Sequence, residues 1–207
     1  MKMRSAIAAA LTVILSVSAV FAKTVPVAAD AQSAVTAENP RVKELKGILF
    51  KLVRQDEYLD ETIDTLDSAN GKLSLDDISA LGLGLKMIKG NLDAISALNK
   101  KQFAEVQPNP ALNVYTRTIL SYSRQVSQKI VKVNGLVARA ALKNKKSAMR
   151  DAVTSKKGGK AAVKGKKLTQ ILEEQQAMER LSVDIKTLRV SSKKLTATSK
   201  WLYIVSK

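Results

Sequence analysis

The sequence predicts an all-α protein, an elongated antiparallel four-helix bundle with coiled-coil-like heptad seams, and three observations lead there. Apolar residues recur at alternating steps of three and four through four separate stretches, the period of a helix face. Breaks fall between them, at Asn70-Gly71, at Gln107-Pro108-Asn109-Pro110 and in a Lys/Gly-rich run from 143 to 167. Two of those breaks are short, and short connections between long helices favour antiparallel neighbours.

The chain opens with Lys2 and Arg4, then an apolar run from Ala6 to Phe21 interrupted by Thr12, Ser16 and Ser18, then small residues around Ala22. That is the three-part plan of a cleavable secretory signal. A spanning helix needs roughly 20 apolar residues in succession, and this run is shorter and interrupted. Residues 1–22 are therefore expected to be removed, with Lys23 as the mature start and Ala28 or Ala29 as later cut points. No cysteine follows the run, which excludes a lipoprotein anchor. Residues 23–38 are small, polar and without period, and read as a mobile leader. The remaining chain is expected to be exported, periplasmic or extracellular, with no transmembrane span after cleavage.

Asn39 and Pro40 suit the start of a first helix, expected over 40–68, since proline is tolerated where the amide has no helical partner. Its seam reads Leu45, Leu49, Leu52, Leu59, Ile63 and Leu66, with Asp56 as an interruption. Asn70-Gly71 ends it. Ser74 then opens a second helix, expected over 75–103, with Asp77 three residues on as a variant capping box. Ile78, Leu81, Leu85, Ile88, Leu92 and Ile95 follow without a fault. Gly82, Gly84 and Gly90 each cost about 1 kcal/mol against Ala inside a helix, so they mark close helix approach or a bend.

The Pro108 and Pro110 pair closes that helix, because each proline restrains the residue before it. A third helix is expected over 111–143, on Leu112, Tyr115, Ile119, Tyr122, Val126, Val133, Val137 and Ala140, with Lys129 standing in one place. Residues 144–167 then lose the seam and gain charge, and are expected to form a flexible basic loop. A fourth helix is expected over 168–205, on Met178, Leu181, Ile185, Leu188, Leu195 and Leu202, with Ser192 and Ser199 filling gaps.

The formal charge of +17 is uneven. From Lys23 to Pro110 there are 11 Lys/Arg against 13 Asp/Glu, whereas from Ala111 to Lys207 there are 22 against 5. A positive half attracts polyanions or acidic membranes, although the same lysines also keep a helical protein in solution. The anion-binding candidates are Lys143, Lys145, Lys146, Arg150, Lys156, Lys157, Lys160, Lys164, Lys166 and Lys167. Nucleic acid is disfavoured as the partner, because that run has no aromatic residue for stacking and export removes the chain from chromosomal DNA.

Histidine and cysteine are both absent, which removes the usual general base, the thiolate and Ser-His nucleophiles, haem ligation by His and most zinc sites. No catalytic, cofactor-binding or metal residues are assigned. The acidic run Asp56, Glu57, Asp60, Glu61, Asp64 and Asp67 crowds a solvated helix face, and pairing with Arg117, Arg124, Lys129 or Lys132 of a neighbouring helix accounts for it. A calcium loop around Gly71 fails on ligand order, since its first ligand falls on Leu66 and its last on Asp77 rather than Glu. Trp201 to Val205 form an apolar chain end, expected to close the bundle, with membrane contact as the other reading. Leu168-Thr169-Gln170 shares its first two residues with the Leu-Thr-x-x-Gln motif of periplasmic holdase chaperones, but Leu172 stands where that motif needs Gln.

The functional expectation is a non-enzymatic exported bundle that binds an anionic envelope component, such as acidic lipid, lipopolysaccharide or a wall polymer, through its basic C-terminal half. The alternatives are a holdase chaperone or assembly factor, and a structural subunit of a surface assembly. A protein partner or a homo-oligomer is compatible with either.

Overall fold

The computed structural model describes residues 39–103, 106–155 and 161–207, and for 148–155 and 161–168 it describes the backbone alone. The expected signal and leader, residues 1–38, lie outside the described residues. Four helices make up the bundle: α1 (Pro40–Ser68), α2 (Leu75–Phe103), α3 (Pro110–Ser155) and α4 (Ala161–Ser206). The fold is all-α, the helices pack on one another, and among the described residues no helix is long and apolar enough to cross a membrane.

Local chemistry sets the helix ends. Asn70 and Gly71 both take left-handed φ, 47° and 72°, which ends α1 because consecutive residues of that hand cannot continue a right-handed helix. The start of α2 is a reciprocal cap: the Asp77 amide donates to Ser74 Oγ at 3.2 Å, and Asp77 Oδ2 accepts from the Ser74 amide at 2.9 Å and its hydroxyl at 2.7 Å. Asn109 caps α3, its Oδ1 accepting from the Ala111 amide at 2.9 Å. Its own amide donates to the Ser206 carbonyl at 3.2 Å, so one residue serves the start of α3 and the end of α4.

Cross-helix contacts fix the topology. Asn91 donates to Gln55 and Gln102 donates to Glu44, so α1 and α2 run antiparallel. Asn113 donates to Ser206 while Ser127 and Ser192 share a hydrogen bond, so α3 and α4 do too. Lys129 meets Asp56 and Lys143 meets Asn70, which makes α1 and α3 parallel neighbours. Lys86 meets Asp184 and Asn99 meets Ser199, which does the same for α2 and α4. Two antiparallel hairpins are thus laid side by side, and the α2–α3 connection crosses the diagonal of the bundle.

The seams correct three details of the sequence reading. In α1, Ile48 takes the inner position and Leu49 is half-buried; Gln55, not Asp56, fills the next layer, so that 45, 48, 52, 55 and 59 form an unbroken heptad. In α3, Ile130 is fully buried and Lys129 sits at the α1 boundary, because Ile130 lies four residues after Val126 and three before Val133, and Thr116 and Ser123 take the inner positions beside half-buried Tyr115 and Tyr122. The α2 and α4 seams are as read, with Ser192 and Ser199 buried in their places.

The basic segment, expected as a flexible loop over 144–167, is the third difference. It is helical from 144 to Ser155 and again from Ala161 to 167, and the remaining loop, 156–160, lies outside the described residues. Losing an apolar seam does not end the helix, because Lys, Ala, Arg and Met are strong helix formers without a buried face. Asn144 donates to the Leu73 carbonyl at 3.4 Å. Residues 145–155 therefore carry α3 past the α1–α2 turn.

Candidate functional site

The cations of α3 and α4 divide into those used inside the bundle and those left facing out. Lys129 Nζ lies 2.7 Å from Asp56 Oδ2 and 2.7 Å from Asp60 Oδ2, and 3.3 Å from the Asp56 carbonyl. Partial burial pulls its pKa down, but the hydrogen bonds and charges of Asp56 and Asp60 outweigh that and hold it above the usual lysine value. Lys132 reaches Asp67 at 3.6 Å, so the acidic flank of α1 neutralises the edge of α3 beside it. Arg117 and Arg124, the other expected partners, form no ion pair with a described residue.

Of the ten expected anion-binding residues, Lys143 braces the fold. Its ammonium donates to the carbonyl and to Oδ1 of Asn70, at 2.8 and 3.2 Å, and so holds the left-handed turn. Lys145 and Lys146 are exposed on α3. The structure places the backbone of Arg150 on α3 and of Lys164, Lys166 and Lys167 on α4. Lys156, Lys157 and Lys160 lie outside the described residues. A helical hairpin, rather than a loop, therefore carries most of this charge.

The sequence reading missed a second apolar stripe on α4. Val183, Val190, Trp201 and Ile204 are 56%, 66%, 60% and 47% exposed, and with Ala197 they recur at helical spacing on the side away from the buried seam. Lys186, Arg189, Lys193 and Lys200 stand exposed along one flank and Arg180 and Lys194 along the other, with Glu179 the one exposed acid between Arg180's turn and the chain end. Of these, only Trp201 and Ile204 fell within a stretch singled out from sequence. The signal is a second set of three- and four-residue steps offset from the first, which makes α4 apolar on two faces and blurs its amphipathic pattern.

Inside the same end of the bundle lies a buried hydroxyl network. Asn99 Nδ2 donates to Ser199 Oγ at 2.9 Å, Ser199 and Ser123 hydroxyls share a 2.7 Å hydrogen bond, and Ser123 donates to the Ile119 carbonyl. Thr116 and Ser206 share another at 2.6 Å. Asn99 Oδ1 and Gln102 Oε1 are buried and accept no hydrogen bond from a described residue. Glu44 sits at its rim, where the hydrogen bond from Gln102 lowers its carboxyl pKa, with Arg41 adding to that effect against a smaller desolvation cost. The arrangement ties α2, α3 and α4 together and presents no nucleophile with a base beside it.

Among the described residues no group of three or more Asp and Glu could hold a metal ion. The Asp77 carboxylate of the rejected calcium pattern is held by Ser74. No protein-family model, no curated protein and no solved structure matches the chain.

Proposed function

We propose that the protein is an exported, non-catalytic membrane-surface binder that lays the outer face of α4 on lipid carrying anionic headgroups. The observation that carries this reading is the exposed stripe of Val183, Val190, Trp201 and Ile204, with a row of Lys and Arg along one flank and Arg180 and Lys194 on the other. An apolar stripe flanked by cations suits a helix lying in the headgroup boundary, with apolar side chains in the acyl region and ammonium groups at the phosphates. Each Lys or Arg near an acidic leaflet contributes about 1 kcal/mol, so the cations of the α3–α4 hairpin add to the attraction. The stripe favours lipid over a purely polar wall polymer, which has no place for Trp201. Export rests on residues 1–22, and the non-catalytic reading on the absence of His and Cys.

Trp201 is the only tryptophan, so its emission reports contact directly. Adding vesicles of phosphatidylglycerol in phosphatidylcholine should shift the emission to the blue, more weakly as salt rises, while pure phosphatidylcholine should not. Replacing Lys186, Lys193 and Lys200 by Gln should reduce the affinity about tenfold or more, on the same per-cation scale. Retention on heparin with no emission change on anionic vesicles would move the reading to a polyanionic polymer. Binding to neither would overturn it.

A further inference from the structure

The outer face of α2 carries its own heptad. Ala80, Leu83, Met87, Gly90, Ala94 and Ala97 follow at steps of three and four, opposite the buried seam. Leu83 is 68% and Met87 45% exposed, and Gly90, Ala94 and Ala97 are exposed as well. The next heptad position at either end is charged, Asp76 before and Lys101 after; both are exposed and neither forms an ion pair with a described residue. A Cβ at Gly90 would meet nothing within 4 Å, as is also true of Gly47, Gly84 and Gly135, so the packing of the bundle does not itself require glycine there.

The stripe is complementary to its own reverse. Turned end for end about a point between Ile88 and Lys89, it sets Met87 on Gly90, Leu83 on Ala94, Ala80 on Ala97 and Asp76 on Lys101. Both large side chains meet small ones, and the acid meets a base. These pairs are the a-to-d layers of an antiparallel coiled coil, and they have the reciprocity of a two-fold interface, in which residue i meets j and j meets i. We infer that a second copy of this chain docks antiparallel on the outer face of α2, with Met87 seated over Gly90 and Asp76 paired with Lys101 at both ends. An unrelated partner needs no such symmetry in the stripe. Gly90 gives up helix propensity so that the Met87 side chain of the partner can approach the backbone.

Asp76 in the first turn and Lys101 in the last also suit the helix dipole, and the experiment separates the two causes. Sedimentation velocity of the purified protein over a dilution series should show a dimer that dissociates to monomer. Leu83→Glu, at a position 68% exposed on the outer face, should keep the helical circular dichroism and weaken the dimer roughly 30-fold or more, as expected for a central apolar anchor. Asp76→Lys and Lys101→Asp should each weaken it about fivefold. The double exchange restores opposite charges across the two-fold axis and should return the dimer to within about twofold of the original. If only the dipole mattered, the double exchange would be the worst of the three. A monomer at every concentration, a dimer indifferent to Leu83→Glu, open-ended oligomers, or a double exchange weaker than either single one would each overturn the inference.

Discussion

Around the α1–α2 turn the buried side chains are apolar throughout, from Leu59, Ile63 and Leu66 to Leu85, Ile88, Val133, Val137, Leu181 and Ile185. At the opposite end, where α4 finishes, Ser96, Asn99, Gln102, Thr116, Ser123, Thr198, Ser199 and Ser206 are buried among Leu45, Ile119 and Leu202. The two ends hold by different physics. Apolar burial is non-directional and grows with area, so the first end gains most of its free energy wherever its helices come close. Buried hydroxyls contribute little net energy but are expensive to leave unpaired, so the second end gains register: Asn99 finds Ser199, and Ser199 finds Ser123, in one alignment only. The proposed lipid contact at Trp201 and Ile204 lies on the outer surface of this second, polar-cored end.

The largest effect expected from breaking this comparison is at the apolar end. Ile88 is 2% exposed in the middle of the seam, and Ile88→Ala should cost about 3 kcal/mol, as transfer energy and cavity add. Urea unfolding checks this; a loss below about 1 kcal/mol would mean that the layer collapses to fill the space. The matching change at the polar end is Ser199→Ala, which removes few packed atoms but leaves Asn99 Nδ2 only its longer 3.4 Å hydrogen bond to Thr198 Oγ1 and orphans one side of Ser123. It should cost about 1 to 2 kcal/mol. Combined with Asn99→Ala it should cost clearly less than the sum of the two, because one network is broken once. Additive losses would show that the two ends are held alike.

That polar end is also the hardest part to read in the sequence. Heptad steps reveal the four helices because the seam residues of α2 and most of α4 are large aliphatics, whose spacing is visible without neighbours. Gln55, Ser96, Asn99 and Gln102 occupy seam positions too, but a polar side chain signals burial only when its partner is known, and the partners are far away in sequence. Lys129 reads as a seam residue for a related reason: its long apolar stem and its neighbour Ile130 cannot be told apart by spacing alone, and two acids on another helix settle the matter. The helical extension to Ser155 is hidden because its sequence carries no apolar seam to mark it, only residues of high intrinsic helix propensity. The candidate lipid face is half legible: Trp201 and Ile204 stand out, whereas Val183 and Val190 are masked by the inner seam of the same helix. Charge asymmetry, by contrast, needs only counting.

The smallest expected effect is a dependence on acid, and it should fall on the polar end. Glu44, bonded by Gln102 Nε2 at 2.6 Å, has its pKa lowered first by that hydrogen bond, and Asp93 has its own lowered first by Lys89, with the Ser191 hydroxyl, Lys89 and Lys194 charges adding to it. A carboxyl whose pKa is depressed on folding stabilises the fold above its unfolded value, here near 4.5 for Glu44 and 3.8 for Asp93. That contribution is lost as pH falls through the lower folded value. Both groups are well solvated, so each effect is screened and modest. Lowering the pH from about 6 to about 3 also raises the net positive charge, which strains the whole bundle. The specific part is separable: Glu44→Gln and Asp93→Asn should each flatten the fall in melting temperature below about pH 5, and neither should change its slope above about pH 6. Amide exchange at mildly acid pH should then quicken first near the start of α1 and the end of α2, while the layer of Leu59, Ile88 and Val133 stays protected. Equal quickening at both ends would assign the acid response to overall repulsion, and Glu44 and Asp93 would have no special part in it.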